Sequence, residues 1–279
     1  MGFSVVHGSM QHIWCSVINT DTLYVGQIVR VANEGVQPIA AASGAADQAT
    51  KMVGVGLVHE GTAALFNNIP FGVVVGTNAA SPTYNSTYMT EQITYATPAT
   101  TTGTYVGVEG PSPRGDNHAM VEVALLTAET VLRGPIFVDT YGTAPTVGTL
   151  SGTPTTVTAT SSAMDEDGIA SLATLYFRSG ACAGQYRVTD DTSSTAVTWD
   201  LPTVGTAVAG DTVVRVNLRP YGVCRMQIGT EGLFIDAGAT NSTNYFMIDV
   251  LRLDLSNPGG EYCEFRFNPY HFNIIDDIA

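Results

Sequence analysis

Charge is what this 279-residue chain has least of. Asp, Glu, Lys and Arg make up only 13% of it, about half the roughly 25% usual in soluble domains. Basic charge is scarcer still: 11 Lys and Arg stand against 25 Asp and Glu, for a formal net charge of −14, and Lys51 is the only lysine. A surface of that sign repels a phosphate backbone, so nucleic acid is not an expected partner. Cysteine is sparse and scattered. Cys15, Cys182, Cys224 and Cys263 form no CxxC pair, which removes the close spacing of zinc sites and small disulfide frameworks and leaves buried free thiols as the expectation. No apolar run approaches the roughly 20 residues of a membrane-spanning helix, so no membrane partner is expected. The opening MGFSVVHGSM has no basic segment followed by an apolar one, so a secretory leader is not expected.

Signatures of catalysis are missing in the same way. There is no G-x-S-x-G elbow and no G-K-[ST] of a phosphate loop. Gly54 and Gly56 sit in VGVGLVHEG without the third glycine of a dinucleotide fingerprint. His7 and His12 are close in sequence, but no carboxylate neighbours them to complete a metal set. Asp165-Glu166-Asp167-Gly168 lacks the downstream ligands of a calcium loop and reads as a solvated turn. Arg114-Gly115-Asp116 reads as a turn in a Pro-rich loop. No enzyme activity, catalytic residue, metal or cofactor is expected.

What remains is Thr, Val, Ala and Gly in short runs. Leu23–Val31, Val53–His59, Gly72–Gly76, Gln92–Ala96, Thr104–Glu109 and Ala119–Leu126 read as strands bounded by Gly, Pro, Asn or Thr. Ala40–Met52 reads as a loop with one turn. A pause at Leu132-Arg133-Gly134-Pro135 and a Thr-rich passage follow, with a strand expected near Val157. Strands then resume at Ala173–Arg178, Gln185–Thr189, Ala196–Asp200, Thr212–Leu218, Val223–Ile228, Leu233–Asp236, Tyr245–Leu253 and Tyr262–Phe267. No sustained helical periodicity appears. The expected fold is all-β in two small domains, residues 1–133 and 134–279, the second a sandwich or barrel. The run YFMIDVLRLDL alternates only in part, which predicts burial on both faces.

Aromatic residues gather at the two ends of the chain. Phe3 and Trp14 lie near the start; Tyr262, Phe265, Phe267, Tyr270 and Phe272 lie in EYCEFRFNPYHFNIIDDIA. Two readings stand side by side: a last core strand, or docking arms whose aromatics contact a neighbour. All seven are candidate interface residues.

Two segments carry family resemblances. Gly26-Gln27-Ile28-Val29-Arg30-Val31, Gly35-Val36-Gln37-Pro38 and Val53-Gly54-Val55 resemble the strand, turn and returning strand that open the small head-decoration (cement) proteins of tailed bacteriophages. The likeness extends to Val121–Leu126 and implies a β-tulip-like or barrel-like module over residues 1–133. The second covers Ala183–Val216. Gly184-Gln185-Tyr186-Arg187-Val188, Trp199, Pro202 and Gly210-Asp211 resemble a β segment that recurs in phage virion proteins, with Val188 where Ile is usual. Together the resemblances imply a structural virion protein on the capsid surface, made in the host bacterial cytoplasm. Its implied partners are the major capsid protein and itself, as a homotrimer. A neck, tail or baseplate component, or a receptor- or glycan-binding virion protein, is the alternative. The long spine helix of a major capsid protein has no counterpart in the sequence.

Overall fold

The structure, a computed structural model, describes residues 2–8, 11–17, 21–32, 35–39, 70–78, 83–87, 89–94, 119–137, 156–158, 174–188, 191–192, 196–199, 201–208, 211–216, 218–228, 232–236 and 246–269. The strands expected at Val53–His59 and Thr104–Glu109, the loop Ala40–Met52 and the turns at 114–116 and 165–168 lie outside them. Among the described residues the fold is all-β, built from several small and mainly antiparallel sheets.

Strands β1 (Ser4–His7), β2 (His12–Ser16), β3 (Thr22–Tyr24), β4 (Ile28–Ala32), β5 (Gly35–Pro38), β6 (Gly72–Thr77), β7 (Thr83–Asn85), β8 (Thr90–Thr94) and β9 (Met120–Leu125) come first. A five-stranded sheet has the order β2-β9-β6-β4-β5, and β3-β8-β7 form a small one beside it. Leu23 to Val31 is thus two strands from different sheets, with a tight turn between them. Gly26 makes that turn with φ of 88°, a conformation in which a Cβ would be strained. Its N–H donates to Val74 O, and Phe3 N–H donates to Gly26 O at 2.7 Å. Gln27 is wholly buried and satisfies the turn from within, its Oε1 accepting from Tyr24 N–H at 2.9 Å. The Gly-Gln pair of the first resemblance is therefore a structural corner. Val29, Val74, Val121 and Val123 pack with Leu23 and Ile93 of the small sheet in one apolar cluster.

The second half supplies β10 (Val131–Phe137), β11 (Thr156–Thr158), β12 (Thr174–Phe177), β13 (Tyr186–Val188), β14 (Asp191–Thr192), β15 (Ala196–Thr198), β16 (Val213–Val216), β17 (Val223–Ile228), β18 (Ile235–Asp236), β19 (Phe246–Asp254) and β20 (Tyr262–Phe267). Six strands pair in the order β1-β10-β18-β17-β19-β20, and β10 also pairs with β20. The β10–β18 pairing is parallel. Sheets β13-β12-β16 and β11-β15-β14 complete the set.

The boundary expected at residue 134 falls inside β10. Leu132 and Ile136 of that strand share one apolar cluster with Phe3, Ile28 and Val73 from the first half and Phe265, Ile248 and Met226 from the second. Alternation in β20 is strict: Cys263, Phe265 and Phe267 point inward, and Tyr262, Glu264 and Arg266 do not. In β19 the expectation of two-faced burial is overturned. Ile248 and Val250 are buried, Asp249 between them is partly exposed, and Leu253 and Leu255 resume the buried series after an exposed Arg252. A bulge causes the change of phase: Val250 pairs with Phe265 and Arg252 with Glu264, leaving Leu251 as the extra residue.

Candidate interaction surface

The seven aromatic candidates separate sharply in the structure. Phe3, Phe265 and Phe267 are buried in the chain's own core. Phe265 meets Phe3 edge-on at 6.0 Å and Phe267 at 5.6 Å between ring centroids. Side chains enclosed this way present no surface to a neighbour, so of the two readings of EYCEFRF the core strand describes these residues. Tyr262 lies on the outer side of β20, with the Arg133 guanidinium 4.6 Å from its ring centroid and that of Arg252 at 5.5 Å. Trp14 is 38% exposed on β2. Tyr270 and Phe272 lie outside the described residues.

The outer side of the six-stranded sheet is a lattice of matched charges. Arg133 Nε donates to Glu264 Oε1 at 3.0 Å, and Arg266 Nε donates to Asp249 Oδ2 at 2.9 Å. A deeper pair joins two sheets. Arg178, just past β12, bonds the Glu261 carboxylate and donates from Nε and Nη2 to Leu255 O at 3.1 and 3.0 Å. Both side chains of that pair are about nine-tenths enclosed, and Tyr186 Oη accepts from Leu255 N–H beside it. These arginines already have partners and serve the fold.

His12 corrects one expectation. Its Nδ1 lies 3.0 Å from Glu122 Oε1, so a carboxylate does stand beside it, brought from 110 residues away by the β2–β9 pairing. Trp14 is directly opposite Glu122 in that register, and Gly76 is opposite Glu122 on the other side. The three form a row across the sheet. Among the described residues no group of three or more His, Cys, Asp or Glu is placed to hold a metal ion. The four cysteines are free thiols. Cys182, Cys224 and Cys263 are buried, and burial pushes the half-buried Cys15 thiol up to about 11.

The feature that sequence reading missed is the loop 201–208. Leu201, Val204 and Val208 are 73%, 78% and 56% exposed, while Thr203 and Ala207 between them are buried. The loop rests on a small core of Leu175, Phe177, Cys182, Trp199, Ala207 and Val213. Phe177 and Trp199 meet edge-on at 5.7 Å. Two side chains of β13 and its approach hold the loop from outside that core. Arg187 donates from Nε to Leu201 O at 2.8 Å and from Nη2 to Pro202 O at 2.7 Å. Gln185 Nε2 donates to Val204 O at 2.8 Å, and Gln185 Oε1 accepts from Val204 N–H at 2.9 Å. The two latches touch: Arg187 Nη2 donates to Gln185 Oε1 at 2.7 Å. At the far end Val208 N–H donates to the enclosed Asp211 carboxylate at 2.9 Å. The G-Q-x-R of the second resemblance is thus the brace of this loop. Its signal in the sequence was the pair of long polar side chains two apart on a strand, facing the same way.

Compared with protein-family models, curated proteins and solved structures, the chain matches none of them. Among the described residues no helix is long and apolar enough to cross a membrane.

Proposed function

We propose that the chain is a structural component of a tailed-bacteriophage particle: a capsid decoration protein that bridges major capsid protein subunits from outside, as a homotrimer. One observation carries this reading. Among the described residues the two most exposed aliphatic side chains, Val204 and Leu201, lie with the exposed Val208 on one loop braced by the segment that resembles virion proteins, and no group of His, Cys, Asp or Glu is placed to hold a metal ion. Large apolar side chains grouped in water on one loop suit a contact site. A charge-poor composition supports the same role, because surface that meets protein needs little charge. The circuit of pairings from β10 through β18, β17, β19 and β20 back to β10 supports a barrel-like second domain. The Gly26 corner and the β4–β5 hairpin support a tulip-like first one.

Binding only the assembled shell stabilises that shell by mass action. Particles lacking the chain are therefore expected to lose DNA at lower temperature than complete ones, and purified chain restores the difference. Equal heat stability with and without it contradicts the decoration role. A second reading, a glycan-binding virion protein, is favoured by the Trp14–Glu122–Gly76 row with His12 beside it: an exposed indole next to a carboxylate suits a sugar ring and its hydroxyls. Binding on a glycan array that Trp14→Ala abolishes is the result expected from that reading.

A further inference from the structure

We propose that the Trp14–Glu122–Gly76 row receives an arginine side chain from the partner protein. Its guanidinium takes a place that the second half of the chain fills with an arginine of its own. This assignment deepens, and rests on, the reading of the chain as a particle component.

The five-stranded and six-stranded sheets repeat one wiring. The first unit takes β2, β4, β5, β6 and β9 in chain order, and the second takes β10, β17, β18, β19 and β20. In each, the first strand pairs with the fifth, the fifth with the fourth, the fourth with the second and the second with the third, all antiparallel. The third then returns beside the first in parallel, through Val36 against Val17 just past β2, and through Ile235 against Ile136. Register agrees as well as order. Trp14 opposes Glu122 and Glu122 opposes Gly76, while Arg133 opposes Glu264 and Glu264 opposes Arg252. Val17 and Ile136 lie three residues beyond Trp14 and Arg133 respectively. A bulge falls at the same step of both fourth strands, between Val74 and Gly76 and between Val250 and Arg252. Each glutamate stands between two buried residues, Val121 and Val123 or Cys263 and Phe265. Glu122 and Glu264 therefore hold the same position of one repeated unit.

What differs is the filling around the carboxylate. In the second unit Arg133 Nε donates to Glu264 Oε1 at 3.0 Å, and the guanidinium groups of Arg133 and Arg252 lie 4.6 and 5.5 Å from the Tyr262 ring centroid. That face satisfies itself. In the first unit Trp14 stands in the register position of Arg133, and Gly76 in that of Arg252. The carboxylate is kept and both arginines are absent. Among the described residues no arginine or lysine pairs with Glu122, whose Oε1 lies 3.0 Å from His12 Nδ1. Its Oε2 is turned toward Gly76, since a Cβ there would lie 3.3 Å from it. The Glu122 side chain is 33% exposed, and Trp14 and the bulge residue Val75 are each 38% exposed. A guanidinium suits that arrangement. A carboxylate accepts its N–H groups in pairs, and an indole covers its planar face. The net charge of −14 draws a basic partner and repels a second copy of the same chain.

The test uses purified full-length chain and particles assembled from a genome in which its gene is deleted, with binding read by co-sedimentation. Wild-type chain is expected to bind saturably, and to be displaced by arginine hydrochloride where sodium chloride of equal ionic strength leaves it bound. Particles whose arginines have been capped with phenylglyoxal are expected to bind it at least tenfold more weakly. Gly76→Arg supplies the absent guanidinium from within the chain, and is expected to lose at least tenfold in affinity with an unchanged melting temperature. Glu122→Gln, which keeps the shape of the side chain, reads the same contact if the first change disturbs folding. Folded variants that both bind like wild type overturn the arginine receptor while leaving the particle reading intact. Wild-type chain that does not bind overturns the particle reading itself. Undiminished binding to capped particles overturns the arginine, and Trp14-dependent binding on a glycan array then assigns the row to a sugar. Variants that fall from oligomer to monomer in light scattering show an arginine of a second copy on the row, and overturn the hetero-partner assignment.

Discussion

Phe265 has no exposed surface and stacks edge-on against both Phe3 and Phe267, so it joins the residues just before β1 to β20. Replacing it with Ala removes that contact and leaves a cavity, for an expected loss of about 3–5 kcal/mol in urea unfolding. A loss under about 1 kcal/mol would place the ring outside the core. Gly134 argues the same packing from the other side. A Cβ there would lie 2.2 Å from Phe3 Cε1, so Gly134→Ala is expected to push Phe3 out and cost about 1–3 kcal/mol. The thiols give a pH test. Only the thiolate reacts with a disulfide reagent, and a raised pKa means less thiolate at any given pH below it. Cys15 is therefore expected to react slowly near pH 8 and faster as pH climbs toward about 11. Cys182, Cys224 and Cys263 are expected to react only after denaturation, because they are buried. Rapid labelling of all four thiols in the native protein contradicts this packing.

At the scale of elements, the brace and the loop are separable. Arg187→Ala removes two donors to the backbone of Leu201 and Pro202 without touching the core beneath them. Amide exchange across 201–204 is expected to rise by an order of magnitude or more, while exchange in β12 and β16 stays slow. Exchange that rises equally in those strands would make Arg187 part of the core rather than a latch. Much of this level was legible in the sequence. Val223–Ile228 and Tyr262–Phe267 were expected with the bounds the structure gives, because alternating residues between turn signals leave little choice of register. Leu23 to Val31 reads as one strand because nothing local distinguishes a Gly corner from a Gly within a strand. The β19 phase was hidden by one inserted residue, Leu251, which only the pairing with β20 reveals. The loop 201–208 carries no sequence signal of its own, because LPTVGTAV has no period. Its shape comes from Gln185 and Arg187, some 14 to 19 residues upstream.

For the molecule as a whole, the central apolar cluster draws on Phe3, Ile28, Ile39 and Val73 as well as on the strands after residue 131. β10 pairs with β1 on one side and β20 on the other. A fragment starting at residue 134 loses β1, half of β10 and that part of the core. It is expected to lack a cooperative melting transition, whereas the full chain unfolds with the central cluster as one unit; a fragment that melts cooperatively on its own would separate the halves. The candidate surface was legible only in outline, since exposure is decided by long-range packing: Phe3, Phe265 and Phe267 are core while Trp14 is exposed, and the aliphatics Leu201, Val204 and Val208 are outside. The central claim is that this chain is part of a phage particle. Cryo-electron microscopy of the particles produced from its genome tests it most directly. The account predicts density matching these sheets on the outer capsid surface, in fixed ratio to the major capsid protein. Particles purified to homogeneity that contain none of the chain would contradict it.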